Sequence, residues 1–280
     1  MPAIAYVNGK FCPIEKAVVS VEDRGFQLGD GVYEVLRTYH GRLHAVGAHL
    51  RRLFRSLDAI ELKHRFTAGG LERLLRQAVR RARFKDALVY LQVTRGAAKR
   101  MKEFPQGVSP TLVITVRPME LPPPEARQRG VRVITAKDVR WLHCDVKSIC
   151  QLPNVLAANK AKAAGCYEAL FIASDGTVTE CASANIFMVN NGVVITPPKS
   201  ANILGGITRE EVIALARRHR IPLRERHITL RQLLAADEVF LTGTTAEILP
   251  VVCVDNHRIA DGKPGPVTQR LYALFLRHVG

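Results

Sequence analysis

The sequence is poor in several features that mark protein classes. No apolar run approaches the roughly 20 residues that a membrane-spanning helix needs, so no membrane partner is expected. No cysteines form a CxxC pair, and Cys144 and Cys150 stand six apart, which is not a usual zinc spacing. With Cys12, Cys166, Cys181 and Cys253 scattered along the chain, the six cysteines read as free thiols and no metal site is expected. There is no GxxxxGK[ST] loop, which leaves a P-loop nucleotide site unsupported. No internal repeat or low-complexity tract is present. The first residues, Met1-Pro-Ala-Ile-Ala-Tyr, lack the basic-then-apolar order of a secretory signal, so the expected location is the cytoplasm.

Acidic residues are also scarce. There are 25 Asp+Glu against 41 Lys+Arg, a formal charge of +16, and the basic residues divide into 29 Arg and 12 Lys. Such a balance is a nucleic-acid signal, and a basic nucleic-acid-binding protein is the non-enzymatic alternative. Two observations argue against it. Aromatics, which would stack on bases, are only 6% of the chain. The arginines are also spread out, and Arg73, Arg76, Arg80, Arg81 and Arg83 fall mostly on the polar side of one helix. Hydrophobic residues reach 47%, which excludes a disordered chain, and 280 residues suit two domains with real cores.

The pattern along the chain is mixed α and β. Asn8-Gly9, His40-Gly41 and Asn190-Asn191-Gly192 are hairpin or turn signals. The first predicts a short strand at Ala17–Val21 after the opening one. Strands are expected at Val32–Tyr39, Ala87–Thr94, Thr111–Val116, Val131–Ala136, Ala169–Ala173, Asn185–Val189, Val193–Thr196 and Val239–Thr242. Leu71, Leu74, Leu75, Ala78, Val79 and Ala82 form a single apolar stripe, the clearest helix. Further helices are expected at Ala48–Leu57, Asn154–Ala164, Arg209–Arg218, Leu230–Ala235 and Val267–His278. Pro118, Pro122, Pro123 and Pro124 cluster where neither helix nor central strand is expected. The expected organisation is a small N-terminal α+β domain at 1–120, a stiff Pro-rich linker at 121–130 and a larger C-terminal α+β domain at 131–280.

Four constellations carry chemistry. Gly205-Gly-Ile-Thr-Arg-Glu-Glu211 places Thr208 as a helix N-cap with Glu211 completing a capping box, a cup for a phosphate. Lys147 stands among apolar and small residues near the only Trp, where a desolvated amine can form a Schiff base. Glu180 lies between Thr-Val-Thr and a small-residue stretch, where a carboxylate can pair with a protonated ring nitrogen. Arg95, Lys99, Arg100 and Lys102 follow a strand in a basic loop that can hold a carboxylate or phosphate, and Arg52 can do the same. Each signal alone also fits an ordinary capped helix, surface side chain or solvated loop.

Their order resembles the fold type IV (class IV) pyridoxal-phosphate aminotransferases, in particular the branch acting on D-amino acids. The resemblance runs from Tyr6-Val-Asn-Gly to the last helix. It is carried by Asp23-Arg-Gly-Phe-Gln-Leu-Gly-Asp-Gly-Val-Tyr-Glu34, His49-Leu-Arg-Arg-Leu53, Val93-Thr-Arg-Gly96 and Arg140-Trp-Leu-His-Cys-Asp-Val-Lys-Ser148. Gly165-Cys-Tyr-Glu-Ala169, Thr177-Val-Thr-Glu180, Asn185-Ile-Phe187, Gly206-Ile-Thr-Arg209 and Thr244-Thr-Ala-Glu247 continue it.

The resemblance implies a two-domain α+β architecture with pyridoxal 5'-phosphate between the domains. Lys147 would carry the cofactor as a Schiff base and move the proton at the substrate α-carbon. Glu180 would face the pyridine nitrogen. Arg52, Ile207, Thr208 and Thr244 or Thr245 would hold the phosphate. Tyr33 and Arg100 would bind the substrate carboxylate, with Lys102 where the family has a histidine and Cys181 where a glycine commonly follows the glutamate. The implied reaction is ping-pong transamination between a D-amino acid such as D-alanine and a 2-oxo acid such as 2-oxoglutarate, in a homodimer. Within the same fold the alternatives are a branched-chain L-amino-acid aminotransferase and an aminodeoxychorismate lyase.

Overall fold

The computed structural model describes residues 3–280. The chain divides into two compact units, each with its own sheet. The first comprises the chain up to Glu120 together with Val146–Cys150; the second comprises Leu121–Asp145 and Gln151–Gly280.

In the first unit the strands are β1 (Ile4–Val7), β2 (Lys10–Pro13), β3 (Gly31–Tyr39), β4 (Arg42–Leu43), β5 (Ala87–Thr94) and β6 (Thr111–Pro118). They form an antiparallel sheet in the order β2-β1-β6-β5-β3-β4. The helices are α1 (Arg24–Leu28), α2 (Val46–Ala59) and α3 (Ala68–Ala82). Strand alternation decides which residues meet the helices. Val32 and Leu36 of β3, Val89, Leu91 and Val93 of β5, and Leu112, Ile114 and Val116 of β6 are buried in one core with Leu50, Leu53 and Leu57 of α2 and Leu71 and Leu75 of α3. The opposite alternation, Tyr33, Val35, Tyr90, Gln92, Val113 and Thr115, is only half-buried.

The Asn8-Gly9 turn closes within two residues, with φ of 43° and 103°, the left-handed pair that matches strand twist. The second strand therefore begins at once, at Lys10, and not at Ala17–Val21 as expected. That later segment forms no strand and leaves Val18 and Val21 exposed. His40-Gly41 and Asn191-Gly192 turn in the same left-handed way.

The second unit opens with α4 (Pro124–Arg129), inside the segment expected to be an extended linker. Pro124 occupies the first turn, where a missing N–H costs nothing. The elements that follow are β7 (Val131–Lys137), α5 (Leu152–Ala163), β8 (Glu168–Ile172), β9 (Thr177–Cys181), β10 (Asn185–Asn190), β11 (Val193–Thr196) and α6 (Ile207–Arg218). The unit ends with β12 (Leu223–Glu225), β13 (Ile228–Thr229), α7 (Leu230–Leu234), β14 (Glu238–Gly243), β15 (Glu247–Val254), β16 (His257–Arg258) and α8 (Pro266–Val279). The sheet order is β12-β11-β10-β14-β15-β7-β8-β9-β13, with β16 paired to β15.

β15 escaped the sequence reading because it contains Pro250, which argues against a central strand. Pro250 lies opposite Phe240 of β14, and β7 pairs with β15 only from Val251 onward. Phe187 and Phe240 stack at 4.8 Å between paired strands β10 and β14.

Candidate active site

In the first unit, Lys147 is fixed by its backbone. Tyr33 N donates to Lys147 O at 2.9 Å, Ile149 N donates to Gly31 O at 3.1 Å, and Lys147 N donates to Ser56 Oγ at 3.2 Å. Val146–Cys150 thus runs along β3 like an added strand fragment. This differs from the expected boundaries, which assigned Lys147 to the C-terminal domain with the rest of 131–280. The lysine Nζ lies 4.3 Å from the centre of the Tyr33 ring, a cation–π contact.

One residue on from Tyr33, on the opposite face of β3, lies the electrostatic hub of this unit. Glu34 is 0% exposed between Val32 and Leu36. Its carboxylate accepts Arg52 Nε at 2.7 Å and Arg52 Nη2 at 2.7 Å, a bidentate pair, and lies 2.8 Å from His49 Nδ1. Burial alone would raise the Glu34 pKa, but the Arg52 guanidinium and the His49 ring outweigh it and hold it at about 2. His49 is pushed below its ordinary value, chiefly by burial. Arg52 is thus buried and held by Glu34, a residue the sequence reading quoted but gave no role.

The Asp23-Arg-Gly opening is largely architectural. Asp23 caps α1, accepting from Gly25 N at 2.8 Å, and also accepts from Thr94 Oγ1 at 2.9 Å. A Cβ on Gly25 would stand 2.2 Å from Thr94 Cγ2, so only glycine allows this approach. Arg24 and Arg95 both bond Asp30, at 2.8 Å each. Arg24 Nη1 also donates to Met101 O at 2.8 Å, which tethers the loop bearing Arg100 and Lys102. Those two side chains are exposed. Among the described residues no hydrogen bond or ion pair joins them to Tyr33 or Lys147.

The second unit carries the other expected residues. Glu180 is 5% exposed in β9. Leu170 pairs with Cys181 and Ile172 with Val178, so a two-residue step on β8 faces a three-residue step on β9. The extra residue is a β-bulge at Thr179-Glu180, which breaks the alternation and re-aims these side chains. Glu180 Oε1 accepts Arg140 Nη1 at 2.5 Å, and Oε2 accepts Asn185 Nδ2 and Leu204 N, both at 3.1 Å. Arg140 also bonds Asp138 at 2.8 Å and lies over Phe171. These carboxylates raise the Arg140 pKa against the lowering effect of burial. Cys181 is buried and its thiol is pushed well above the ordinary range, first by burial.

Thr208 is not the cap of α6. The N-cap is Gly206, no side chain caps the helix, and Thr208 sits buried in its first turn. Gly206 already has the extended backbone of a cap, φ −67° and ψ 137°, which leaves Thr208 inside the helix, and Asn185 packs against this start. Its side chain donates to Leu204 O at 2.9 Å, and its Oδ1 would lie 2.0 Å from any Cβ on residue 206. Ile207 and Thr208 therefore offer first-turn N–H groups, the anion-binding end of a helix. Asn185 also pairs across the sheet with Thr242, two residues before the half-buried Thr244 and the exposed Thr245. Glu180 and the segment leading into α6 thus meet at Asn185. Asn185, Arg140 and Glu34 were all inside the segments that carried the resemblance, which was the available signal.

The amino-transferase class IV family profile matches residues 31–254. The chain is 40% identical over 264 residues to the D-alanine aminotransferase of Bacillus licheniformis, covering 94% of this chain and 93% of that protein. It is 41% identical over 275 residues to the D-alanine aminotransferase of Listeria monocytogenes, covering 98% and 95%. A solved branched-chain amino acid aminotransferase from T.th., with pyridoxamine 5'-phosphate, superposes with a TM-score of 0.94 at 29% identity, covering 100% of this chain and 94% of that one. The chain belongs to the class IV aminotransferases and has their two-unit α+β fold, as the sequence led us to expect.

The Glu34 cluster makes a prediction about acid stability. Glu34's folded pKa lies below its ordinary 4.5, so its stabilising contribution is complete above that value and drains as pH falls toward 2. The depressed His49 acts in the same direction, because the unfolded chain takes up its proton first. Glu34→Gln leaves Arg52 charged and buried without its carboxylate. Denaturant titration at neutral pH should show a loss of about 3–5 kcal/mol, and the gap from the parent should narrow as pH falls from about 5 toward 2.

Proposed function

We propose that the protein is a pyridoxal-phosphate-dependent aminotransferase that transfers the amino group of a D-amino acid, D-alanine among them, to a 2-oxo acid such as 2-oxoglutarate. The near-full-length similarity to D-alanine aminotransferases carries this reading.

The donor set fits the cofactor: a lysine amine, a buried carboxylate held by Arg140, and a helix start with no side-chain cap. When bound, the cofactor supplies an aldehyde that captures amines and a ring that withdraws electrons from the α-carbon. Lys147 would hold it through its side-chain amine and would move the proton at the substrate α-carbon. Glu180 holds the ring nitrogen's proton, while Asp138, Arg140 and Asn185 fix Glu180 in place. Arg52, the N–H groups of Ile207 and Thr208, and the threonines at 244 and 245 hold the phosphate. Tyr33, Arg100 and Lys102 bind the substrate carboxylate. The first 2-oxo acid leaves before the second binds, so the kinetics are ping-pong.

The protein functions in the cytoplasm as a homodimer. Val139, Trp141, Leu142, Leu152, Val155 and Leu156 are large apolar residues left exposed on the second unit, the kind of surface that a partner covers.

With 2-oxoglutarate as acceptor, D-alanine and D-glutamate should serve as donors, while L-alanine and L-leucine turn over slowly or not at all. Turnover of L-leucine in place of the D-amino acids would assign the branched-chain activity instead. Light scattering should give a mass twice the 31.0 kDa of the chain; an active monomer would remove the dimer.

A further inference from the structure

We propose that Gln92, oriented by Tyr90, is a carboxylate-binding residue of the substrate site, acting beside Tyr33. The inference rests on the aminotransferase reading and adds a residue that neither the motifs nor the resemblance assigned.

The placement follows from strand register. Tyr33 pairs with Gln92 and Val35 with Tyr90 across β3 and β5. In an antiparallel sheet, residues directly opposite share a face, as do residues two apart on one strand. Tyr33, Tyr90 and Gln92 therefore stand together on the half-buried face, away from the α2–α3 core. The Tyr33 and Tyr90 rings stack with centroids 5.5 Å apart and an interplanar angle of 29°. Lys147 Nζ lies 4.3 Å from the Tyr33 ring centre, so this face is the one on which the reactive amine lies.

The chemistry follows from the inventory of donors and acceptors. Tyr90 Oη donates to Gln92 Oε1 at 2.5 Å. A side-chain amide has one acceptor oxygen and two N–H donors on its nitrogen. Tyr90 occupies the oxygen and so fixes which way the amide points, leaving Nε2 as the outward group. Burial, with a smaller effect from Tyr33, pushes the Tyr90 pKa up to about 12, so its hydroxyl remains a donor in neutral solution. Among the described residues neither Gln92 Nε2 nor the Tyr33 hydroxyl has a hydrogen-bonding partner. Glu34, next to Tyr33 in the chain, is on the opposite face of β3 and engaged by Arg52 and His49. The result is a face with an amide N–H and a phenol O–H beside the cofactor-bearing lysine, which suits a carboxylate.

Both substrate classes carry an α-carboxylate, and D-glutamate and 2-oxoglutarate carry a second one. The test uses holoenzyme with Gln92→Leu, Gln92→Glu and Tyr90→Phe, read by KM and kcat for D-alanine and D-glutamate. Calorimetric binding of glutarate, an unreactive dicarboxylate, provides a readout independent of turnover. Loss of a hydrogen bond to a charged group should raise KM and the glutarate Kd about tenfold or more in Gln92→Leu, with kcat little changed. Gln92→Glu keeps the acceptor for Tyr90 but sets a like charge against the ligand, and should weaken binding further. Tyr90→Phe frees the amide and should give a smaller rise.

A rise for both donors assigns Gln92 to the α-carboxylate; a rise for D-glutamate and glutarate alone assigns it to the second. Unchanged KM and Kd in Gln92→Leu overturn the proposal. A parent enzyme that uses neither D-amino acid would overturn the activity reading instead, a result distinct from failure at Gln92.

Discussion

Two backbone hydrogen bonds, Tyr33 N to Lys147 O and Ile149 N to Gly31 O, hold the Val146–Cys150 segment against β3. They give a long, flexible side chain a fixed root. A lysine on a free loop would spread its amine over many positions; here the stem begins at a strand edge and its Nζ meets an aromatic face. Positioning of that kind is what turns an amine into a reagent, because productive geometry must be held within a fraction of an ångström. β3 serves both faces at once: its odd positions place Tyr33 beside Lys147, and its even positions bury Glu34, which holds Arg52.

In both units several arginines shielded from water are matched by shielded carboxylates. Arg52 has Glu34, Arg24 and Arg95 share Asp30, and Arg140 has Asp138 and Glu180. Removing one partner from such a pair is costly, because the charge left behind remains out of water. Much of the remaining basic charge, including Arg73, Arg76, Arg80, Arg81 and Arg83, is exposed. The +16 balance is therefore mostly a surface property, and the few internal cations serve the architecture and the site.

Much of the fold was legible in the sequence because alternation and turn chemistry are local. The strand at Ala87–Thr94 matches residue for residue, and the three glycine turns close as left-handed hairpins. What was not legible depends on distant contacts. Nothing near Thr179-Glu180 announces a bulge, since the extra residue exists only relative to β8. Thr208 fits the local pattern of a cap, yet the helix begins earlier, after Gly206, whose missing Cβ lets Asn185 of another strand pack against that start. Lys147 and Glu180 drew attention through their neighbours, but their expected roles rest on the order of the motifs taken together. Glu34 and Asn185 lay within those motifs, but their roles needed the hydrogen bonds to be seen.

The most direct test of the central claim, that the Val146–Cys150 segment presents the cofactor-bearing amine, is chemical. Holoenzyme is reduced with borohydride and digested, and the cofactor-labelled peptide is identified by mass spectrometry. The label should be found on the peptide containing Lys147, in about one copy per chain. A label on any other lysine, or no covalent label in an enzyme that still transaminates, would contradict the account.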